Sequence, residues 1–315
     1  MLKISIVIPL YNKESSVWRA VNSVLSQSFG CFELIIVDDG STDNSLSVVN
    51  DFDDSRIRLI RQINSGVSAT RNKGFEKSSG DYVCFLDADD EWYPWFLEEI
   101  VELIIISPMS SIYCARYEIV SEKSVPFVGS LALPDSFVGV LNDFFKIYKK
   151  SRSLICSSNV CVSRKYFGKL GGFPLSAKTG EDIYVWLNLA LFSSVCFSSK
   201  ISARVHRDAQ NRTISRVDAE LPYYLRYFFI ENPTALLVND AGYSASLKAF
   251  LLKSSVINSS AAVVRGHRRL AREYAFMLLR WSAPFSFLVF IISFLPISFF
   301  SLAKKVRNNL TTRSI

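Results

Sequence analysis

The sequence lacks several motifs that would assign it to common classes of protein. It contains no Gly-x-Gly-x-x-Gly and no Gly-x-x-x-x-Gly-Lys-Ser/Thr motif, so dinucleotide-binding and P-loop interpretations have no motif support. It has two histidines, and its six cysteines include no Cys-x-x-Cys pair. Several cysteines lie in apolar, strand-like runs, which predicts free thiols in a reducing compartment rather than disulfides or zinc. The first apolar run already reads as a strand without a cleavage pattern, so no signal peptide is expected.

Charge is distributed unevenly along the chain. From Arg204 onward there are 16 Lys/Arg and 6 Asp/Glu, whereas the first 203 residues hold 20 and 23. Residues 265–280 read as a basic helix, and residues 285–303 form an uncharged apolar run of 19 residues. Because Pro296 interrupts this run and cations flank it, a spanning helix and an interfacial insertion both remain open, as does a buried core helix. Association with an anionic membrane surface, and not with nucleic acid, is the prediction.

Acidic side chains follow two apolar runs that read as buried strands. Residues 82–86 are followed by Asp87, Asp89 and Asp90. Residues 32–38 end at Asp38 and are followed by Asp39. Ligands of open α/β sheets bind at the carboxyl ends of such strands. Carboxylates crowded there repel one another unless a cation or polar ligand neutralises them, and Mg²⁺ or Mn²⁺ prefers carboxylate oxygen. The pattern predicts a divalent-cation and nucleotide site, although acid-rich turns also occur without one.

The order of elements predicts the class of fold. Strands at residues 4–9, 32–38, 56–61 and 82–86, with a helix at residues 66–79, give a β-α-β-α-β-α-β pattern over about ninety residues. Such a pattern is typical of a doubly wound α/β sheet. Further along, we expect an irregular loop over residues 122–137, a helix over residues 137–150, a short strand at residues 159–163 and an apolar helix at residues 183–192.

Four segments together resemble the signatures of the family-2 inverting glycosyltransferases with a GT-A fold. They are residues 7–12 (Val-Ile-Pro-Leu-Tyr-Asn), 36–43 (Ile-Val-Asp-Asp-Gly-Ser-Thr-Asp), 66–72 (Gly-Val-Ser-Ala-Thr-Arg-Asn) and 85–90 (Phe-Leu-Asp-Ala-Asp-Asp). The resemblance is firm over about residues 1–120, fair to about residue 210 and weak beyond. It implies a mixed, mainly parallel sheet flanked by helices, with a helical C-terminal extension.

The resemblance also implies roles on the donor side. The base of a nucleotide sugar would lie near Pro9, Tyr11 and the pair Asp38 and Asp39, with Asp39 accepting a hydrogen bond from a ring N–H. Tyr11 is nearly as compatible with a place in the core. Arg71 would contact the nucleotide, the alternative being a salt bridge on the helix surface.

Metal and acceptor roles follow from the same resemblance. Asp87 would reach the ribose or the water shell of the metal, and Asp89 would ligate Mn²⁺ or Mg²⁺. His206 would contact the metal or the diphosphate, although a lone histidine is more often structural. Asp182 resembles the general base, with Glu181 beside it facing the acceptor or orienting the base. Both acids at a helix start also suit ordinary capping.

The predicted function is transfer of a sugar, with inversion, from a UDP-sugar or similar donor to a glycan or lipid-linked hydroxyl in cell-surface polysaccharide synthesis. We expect a catalytic domain over residues 1–210, a basic helical extension over residues 211–280 and a membrane-associating tail over residues 281–315. The predicted location is the cytoplasmic face of the plasma membrane, as a peripheral or monotopic protein. A sugar-nucleotide pyrophosphorylase and a non-catalytic membrane-attached module are the alternatives. The loop after strand one has no glycine and is a poor phosphate nest, which disfavours the first.

Overall fold

The computed structural model describes residues 2–121, 124–151, 154–207, 220–236 and 241–300. Its backbone contacts divide the chain into two compact units, Met1–Ser215 and Arg216–Ile315. The strands, all in the first unit, are β1 (Ile4–Leu10), β2 (Phe32–Asp38), β3 (Ile57–Arg61), β4 (Tyr82–Phe85), β5 (Glu91–Trp92), β6 (Ile112–Ser121), β7 (Ser124–Phe127), β8 (Val138–Val140), β9 (Val160–Ser163) and β10 (Val195–His206). The helices of this unit are α1 (Val17–Leu25), α2 (Ser45–Asn50), α3 (Val67–Lys77), α4 (Phe96–Ile106), α5 (Phe144–Lys150), α6 (Arg164–Leu170) and α7 (Glu181–Phe192).

One mixed sheet organises the first unit, with strand order β3-β2-β1-β4-β9-β6-β10-β5. β7 pairs with β6, and β8 pairs with β10. The first four strands in the chain are parallel to one another, as the sequence predicts. Beyond β4 in the sheet the strand directions are mixed, because β9 is antiparallel to both β4 and β6, whereas β10 is parallel to β6. The carboxyl ends of β2, β1 and β4 therefore lie side by side at one edge.

Side chains of β1 alternate between the two faces of the sheet. Ile4, Ile6, Ile8 and Leu10 pack with the apolar stripes of α1 and α4. On the opposite face, Val7 lies against α3, where a Cβ on Gly74 would stand 2.2 Å from Val7 Cγ1. Only glycine allows this close approach of helix to strand. This face also holds an aromatic cluster, defined here as Phe75, Phe85, Phe167, Phe173 and Trp186.

The prediction for residues 122–150 is wrong in part. The expected loop contains β7, and the expected helix begins only at Phe144, because β8 occupies its first residues. Val138–Val140 pairs antiparallel with Cys196–Ser198 of β10, almost sixty residues away. A strand that forms against so distant a partner leaves no periodic signal in its own three residues. Residues 122 and 123 lie outside the described residues.

Helices make up the second unit. They are α8 (Tyr223–Arg226), continued by a π-helical turn (Tyr227–Glu231), a 3₁₀ turn (Pro233–Leu236), α9 (Ala241–Val264), α10 (Arg268–Leu279) and α11 (Ala283–Ile292). By length and composition, Tyr243–Val264 is a candidate membrane span, and 44% of its apolar window is buried within the protein.

The apolar run at residues 285–303 is not one continuous helix where the structure describes it. α11 ends at Ile292, and helix resumes at residues 297–300, on the far side of Pro296. The guanidinium of Arg268 donates to the carbonyls of Ser293 and Leu295 at 2.7 and 2.9 Å, which satisfies groups left unpaired by the break. The remainder of the run and the cations after it, residues 301–315, lie outside the described residues.

Candidate active site

The predicted base-binding acids have different partners. Asp39 is buried, and its carboxylate accepts hydrogen bonds from Gln62 Nε2, Ser65 N–H and Gly66 N–H at 2.8 to 2.9 Å. It thereby fixes the loop that leads into α3. Asp38 is fully buried; its Oδ1 accepts from the N–H of Ser41 at 3.1 Å, which closes the turn after β2.

The loop after β1 carries the other predicted base-side residues. Pro9 lies within β1, where it pairs with Val37 of β2, and Tyr11 follows the strand with 37% of its surface exposed. Tyr11 is therefore not a core tyrosine. Asn12 adopts a positive φ of 50°, and its Oδ1 accepts from the N–H of Thr42 at 2.8 Å. Strained backbone of this kind is retained where surrounding contacts hold it, and it is common at ligand sites.

Three carboxylates converge after β4. Asp87, Asp89 and Asp90 each present an oxygen within 4.8 Å of the others. Asp89 Oδ2 lies 2.7 Å from the ammonium of Lys13, a partner that the sequence motifs do not indicate. Burial, together with the neighbouring charges of Asp87 and Asp89, raises the pKa of Asp90 well above its usual range. This set of hard oxygen donors suits Mg²⁺ or Mn²⁺.

Asp90 points away from solvent and connects three segments. Its carboxylate accepts from the Ser158 hydroxyl and, at 2.9 Å, from the backbone N–H of His206. The imidazole Nε2 of His206 lies 3.0 Å from Glu91 Oε1. Among the described residues, His206 is not part of the group of converging metal-capable atoms, which consists of the three aspartates. The structure thus places His206 beside the acidic loop, the segment after β4 that carries Asp87, Asp89 and Asp90, with its ring held by Glu91.

Arg71 connects the acidic loop to the start of α7. Its side chain is only 4% exposed, and its guanidinium lies 2.6 Å from Asp87 and 3.4 Å from Glu181. Burial by itself would lower the pKa of Arg71, but the charges of Asp87 and Glu181 outweigh it and raise the pKa. Arg71 is therefore neither a surface residue nor one half of a simple pair. Its fork of donors joins two acids that are far apart in sequence.

The two acids at the start of α7 sit in a desolvated environment. Burial, and then the charge of Asp182, raises the pKa of Glu181 to about 7. Burial also raises the pKa of Asp182, while the positive charge of Arg71 opposes the rise. Asp182 Oδ1 accepts from the N–H of Ile183 at 2.7 Å. A carboxylate with a raised pKa is a stronger base, as general-base chemistry requires.

A residue without any predicted role joins α3 to the turn that precedes α7. Asn72, next to Arg71 on α3, exchanges two hydrogen bonds of 2.8 Å with the backbone of Phe173. Gly172 has a φ of +87°, and a Cβ there would stand 2.5 Å from Asn72 Oδ1. The Phe173 ring lies 5.2 Å from the Arg71 guanidinium. The turn Gly171-Gly172-Phe173 is therefore held against α3 by Asn72. This contact sets the approach of α7 to Arg71.

Comparison with known proteins identifies the family to which the chain belongs. Residues 5–166 match glycosyl transferase family 2, which is more than half of the chain. The chain belongs to glycosyl transferase family 2. The family predicted from the four sequence segments is thereby confirmed.

Two curated relatives of this glycosyltransferase act in the synthesis of glycans. The chain is 29% identical, over 74% of its length and 88% of the relative's, to the Escherichia coli UDP-Glc:alpha-D-GlcNAc-diphosphoundecaprenol beta-1,3-glucosyltransferase WfgD. It is 30% identical, over 59% of its length and 71% of the relative's, to the Bacillus subtilis putative teichuronic acid biosynthesis glycosyltransferase TuaG. Several other curated relatives are matched over only about a third of their own length.

A solved structure confirms the class of fold. Residues 1–349 of S. aureus TarS, in complex with UDP-GlcNAc, superpose with a TM-score of 0.70 at 18% identity. The match covers 88% of this chain and 81% of that one. The glycosyltransferase therefore has the predicted α/β fold of the GT-A type.

Proposed function

We propose that this glycosyltransferase moves a sugar from a UDP-sugar to a hydroxyl of a lipid-linked glycan, with inversion, during assembly of a cell-surface polysaccharide. The observation that carries the proposal is the position of Arg71, which joins Asp87 on the donor side to the acidic pair at the start of α7. A donor held at the strand ends and an acceptor held at α7 would meet at this guanidinium. The relative WfgD uses UDP-glucose and an acceptor linked to diphosphoundecaprenol.

The donor base is assigned to the cleft formed by the loops after β1 and β2. Asp39 already accepts three internal hydrogen bonds, and a carboxylate has about four acceptor sites. One acceptor position on Oδ2 is thus left for a ring N–H, and the three internal bonds keep the carboxylate oriented. The partly exposed ring of Tyr11 and the pyrrolidine ring of Pro9 provide apolar surface for the base.

A divalent cation fits the acidic loop, because three carboxylate oxygens already converge there. Asp89 and Asp87 would hold it, and His206 is the further candidate once its imidazole leaves Glu91. A bound divalent cation neutralises charge on a departing diphosphate. Arg71 adds a fixed positive charge beside Asp87 and needs no reorganisation to do so.

Asp182 is the proposed general base. Its environment favours proton uptake, and Arg71 keeps enough positive charge nearby for the carboxylate to ionise. It would take the proton of the acceptor hydroxyl as the oxygen attacks the anomeric carbon from the face opposite the diphosphate. One displacement then inverts the configuration. Glu181 orients Arg71 and shares the acceptor side.

A membrane-borne acceptor suits the second unit. Large apolar side chains are exposed in α11 and in the turn that follows it, namely Phe287, Phe290, Ile291 and Phe294. The Arg272 guanidinium lies 5.0 Å from the Phe294 ring. Apolar residues interleaved with cations are typical of segments that bind an anionic bilayer surface. We therefore place the protein on the cytoplasmic face of the plasma membrane.

The test is a transfer assay with full-length enzyme. UDP-glucose and UDP-GlcNAc are offered with a diphosphoundecaprenol-linked GlcNAc acceptor, with Mn²⁺ or with EDTA, and the product anomer is read by NMR. We expect an inverted product that requires the metal, with Asp182→Asn as the inactive control. Binding of UDP-sugar without turnover on any acceptor would favour a non-catalytic module. Formation of nucleoside triphosphate from UDP-sugar and pyrophosphate would favour a pyrophosphorylase.

A further inference from the structure

Lys13 stands in the candidate site without a role in the mechanism above. The loop that carries it is rigid, because Asn12 is held with positive φ by its bonds to Ser41 and Thr42. The backbone N–H of Lys13 itself donates to Ser45 Oγ at 2.8 Å. These contacts tie the loop after β1 to the loop after β2 and direct the Lys13 side chain toward the acidic loop.

The ammonium of Lys13 ends 2.7 Å from Asp89 Oδ2, across 76 residues of sequence. The two side chains are only 13% and 12% exposed, so solvent screens the pair weakly. The same aspartate is fixed from behind, because Arg19 donates to its backbone carbonyl. This contact fixes the backbone from which the Asp89 carboxylate faces the ammonium.

This ion pair occupies Oδ2, one of the two carboxylate oxygens that Asp89 could offer to a divalent cation. A cation that enters the acidic loop has to displace the ammonium from Asp89 and is repelled by it at short range. The displaced ammonium can then pair with another anion. The diphosphate of the donor provides one, because lysine binds phosphate oxygens as a mobile point charge.

We propose that Lys13 couples the binding of the divalent cation to the binding of the donor diphosphate. This inference rests on the proposed function, since it takes the acidic loop as the metal site. In the absence of nucleotide, Lys13 is the resident counter-ion of Asp89 and weakens metal binding. When the diphosphate is present, Lys13 pairs with it, and the metal gains free access to Asp89.

The experiment is a titration of full-length protein with Mn²⁺, followed by the EPR signal of the free ion, with and without UDP. For the wild type we expect weak binding of Mn²⁺ alone and binding about tenfold tighter with UDP, within the usual range of coupling between sites. Lys13→Met should bind Mn²⁺ alone about tenfold more tightly than the wild type does. The effect of UDP on Mn²⁺ affinity should shrink in the same variant.

Two further variants serve as controls. Lys13→Arg keeps the positive charge and should retain weak binding of Mn²⁺ alone, and Lys3→Met removes an exposed lysine and should behave as the wild type. Because a gain of affinity is expected, a misfolded variant cannot imitate the result.

The outcomes separate the inference from the function on which it rests. If UDP tightens Mn²⁺ binding equally in wild type and Lys13→Met, the metal site stands and the role of Lys13 is refuted. If Lys13→Met binds Mn²⁺ alone more weakly than the wild type does, Lys13 supports the site instead of competing for it, and the inference is wrong. If neither protein binds Mn²⁺ with UDP present, the metal-dependent function fails as well.

Discussion

Replacing Glu181 by glutamine should remove a pH-dependent loss of stability. The Glu181 side chain is only 12% exposed and lies 3.4 Å from Arg71. Burial is the main cause that raises its pKa, the charge of Asp182 is the second, and the resulting pKa is about 7 instead of 4.5. Glutamine has nearly the same shape and cannot ionise, so the variant isolates the cost of charging this carboxyl in the folded protein.

The direction of the pH effect on stability follows from the number of protons that the folded and the unfolded chain bind. Below pH 4.5 both the folded and the unfolded chain keep the proton of Glu181, so it adds no pH dependence. Between pH 4.5 and 7 the unfolded chain releases this proton while the folded chain retains it, so the free energy of unfolding falls as pH rises. A pKa difference of about 2.5 corresponds to a loss of about 3 kcal/mol at most, which is complete once the pH exceeds 7.

Urea unfolding at pH 5 and pH 8, followed by tryptophan fluorescence in the absence of nucleotide and metal, provides the measurement. From pH 5 to pH 8 the stability of Glu181→Gln relative to wild type should increase by about 2 to 3 kcal/mol. Comparison at each pH cancels the titration of groups that do not interact with Glu181. Glu102→Gln, at an exposed position of α4, should show no such change. If the difference in free energy of unfolding between wild type and Glu181→Gln were the same at pH 5 and pH 8, or changed in the opposite direction, the assignment of a raised pKa to Glu181 would be refuted.

Three further predictions follow from the same contacts. Asp182→Asn should lower turnover by about 100-fold or more and leave UDP affinity within about twofold, as measured by initial rates and calorimetry, because the amide cannot accept the proton; lost UDP affinity would instead indicate a donor-side role. Arg71→Met should lower the free energy of unfolding by about 3 kcal/mol in urea at pH 8, because it leaves the largely buried Glu181 and the partly exposed Asp87 without their cation, and a loss below about 1 kcal/mol would contradict the bridge. Gly74→Ala should cost about 1 to 3 kcal/mol in the same assay, because its Cβ would meet Val7, whereas wild-type stability would show that α3 can shift without cost.

The first half of the fold could be predicted because its signals are local. Buried parallel strands appear as continuous apolar runs, and the predicted strand at residues 32–38 coincides with β2. The later strands could not be predicted as well, since β8 has three residues and depends on pairing with β10. Helix α9 lies within the predicted helical extension, but its limits were not predicted, because its serines and apolar residues give no clear amphipathic pattern.

The candidate site could be predicted as a set of acids but not as a network. Parallel topology places residues that follow β2 and β4 at one edge, so the nearness of their acids follows from strand order. Arg71, in contrast, lies in a helix whose composition suggests a surface position, and it is buried because two acids, 16 and 110 residues distant, need a shared cation. No local pattern reports contacts at such separations. The same holds for Lys13 and for the clamp that Asn72 makes on Phe173.

The charges of the site explain why donor and metal are expected to act together. Among the described residues, two cations, Arg71 and Lys13, face five carboxyl groups: Asp87, Asp89, Asp90, Glu181 and Asp182. Burial raises the pKa of Asp90 and of Glu181, which favours the protonated forms of these two carboxyl groups. A divalent ion entering alone would have to displace an ammonium, and a diphosphate entering alone would meet acids. Each ligand is therefore expected to remove the electrostatic obstacle to the other.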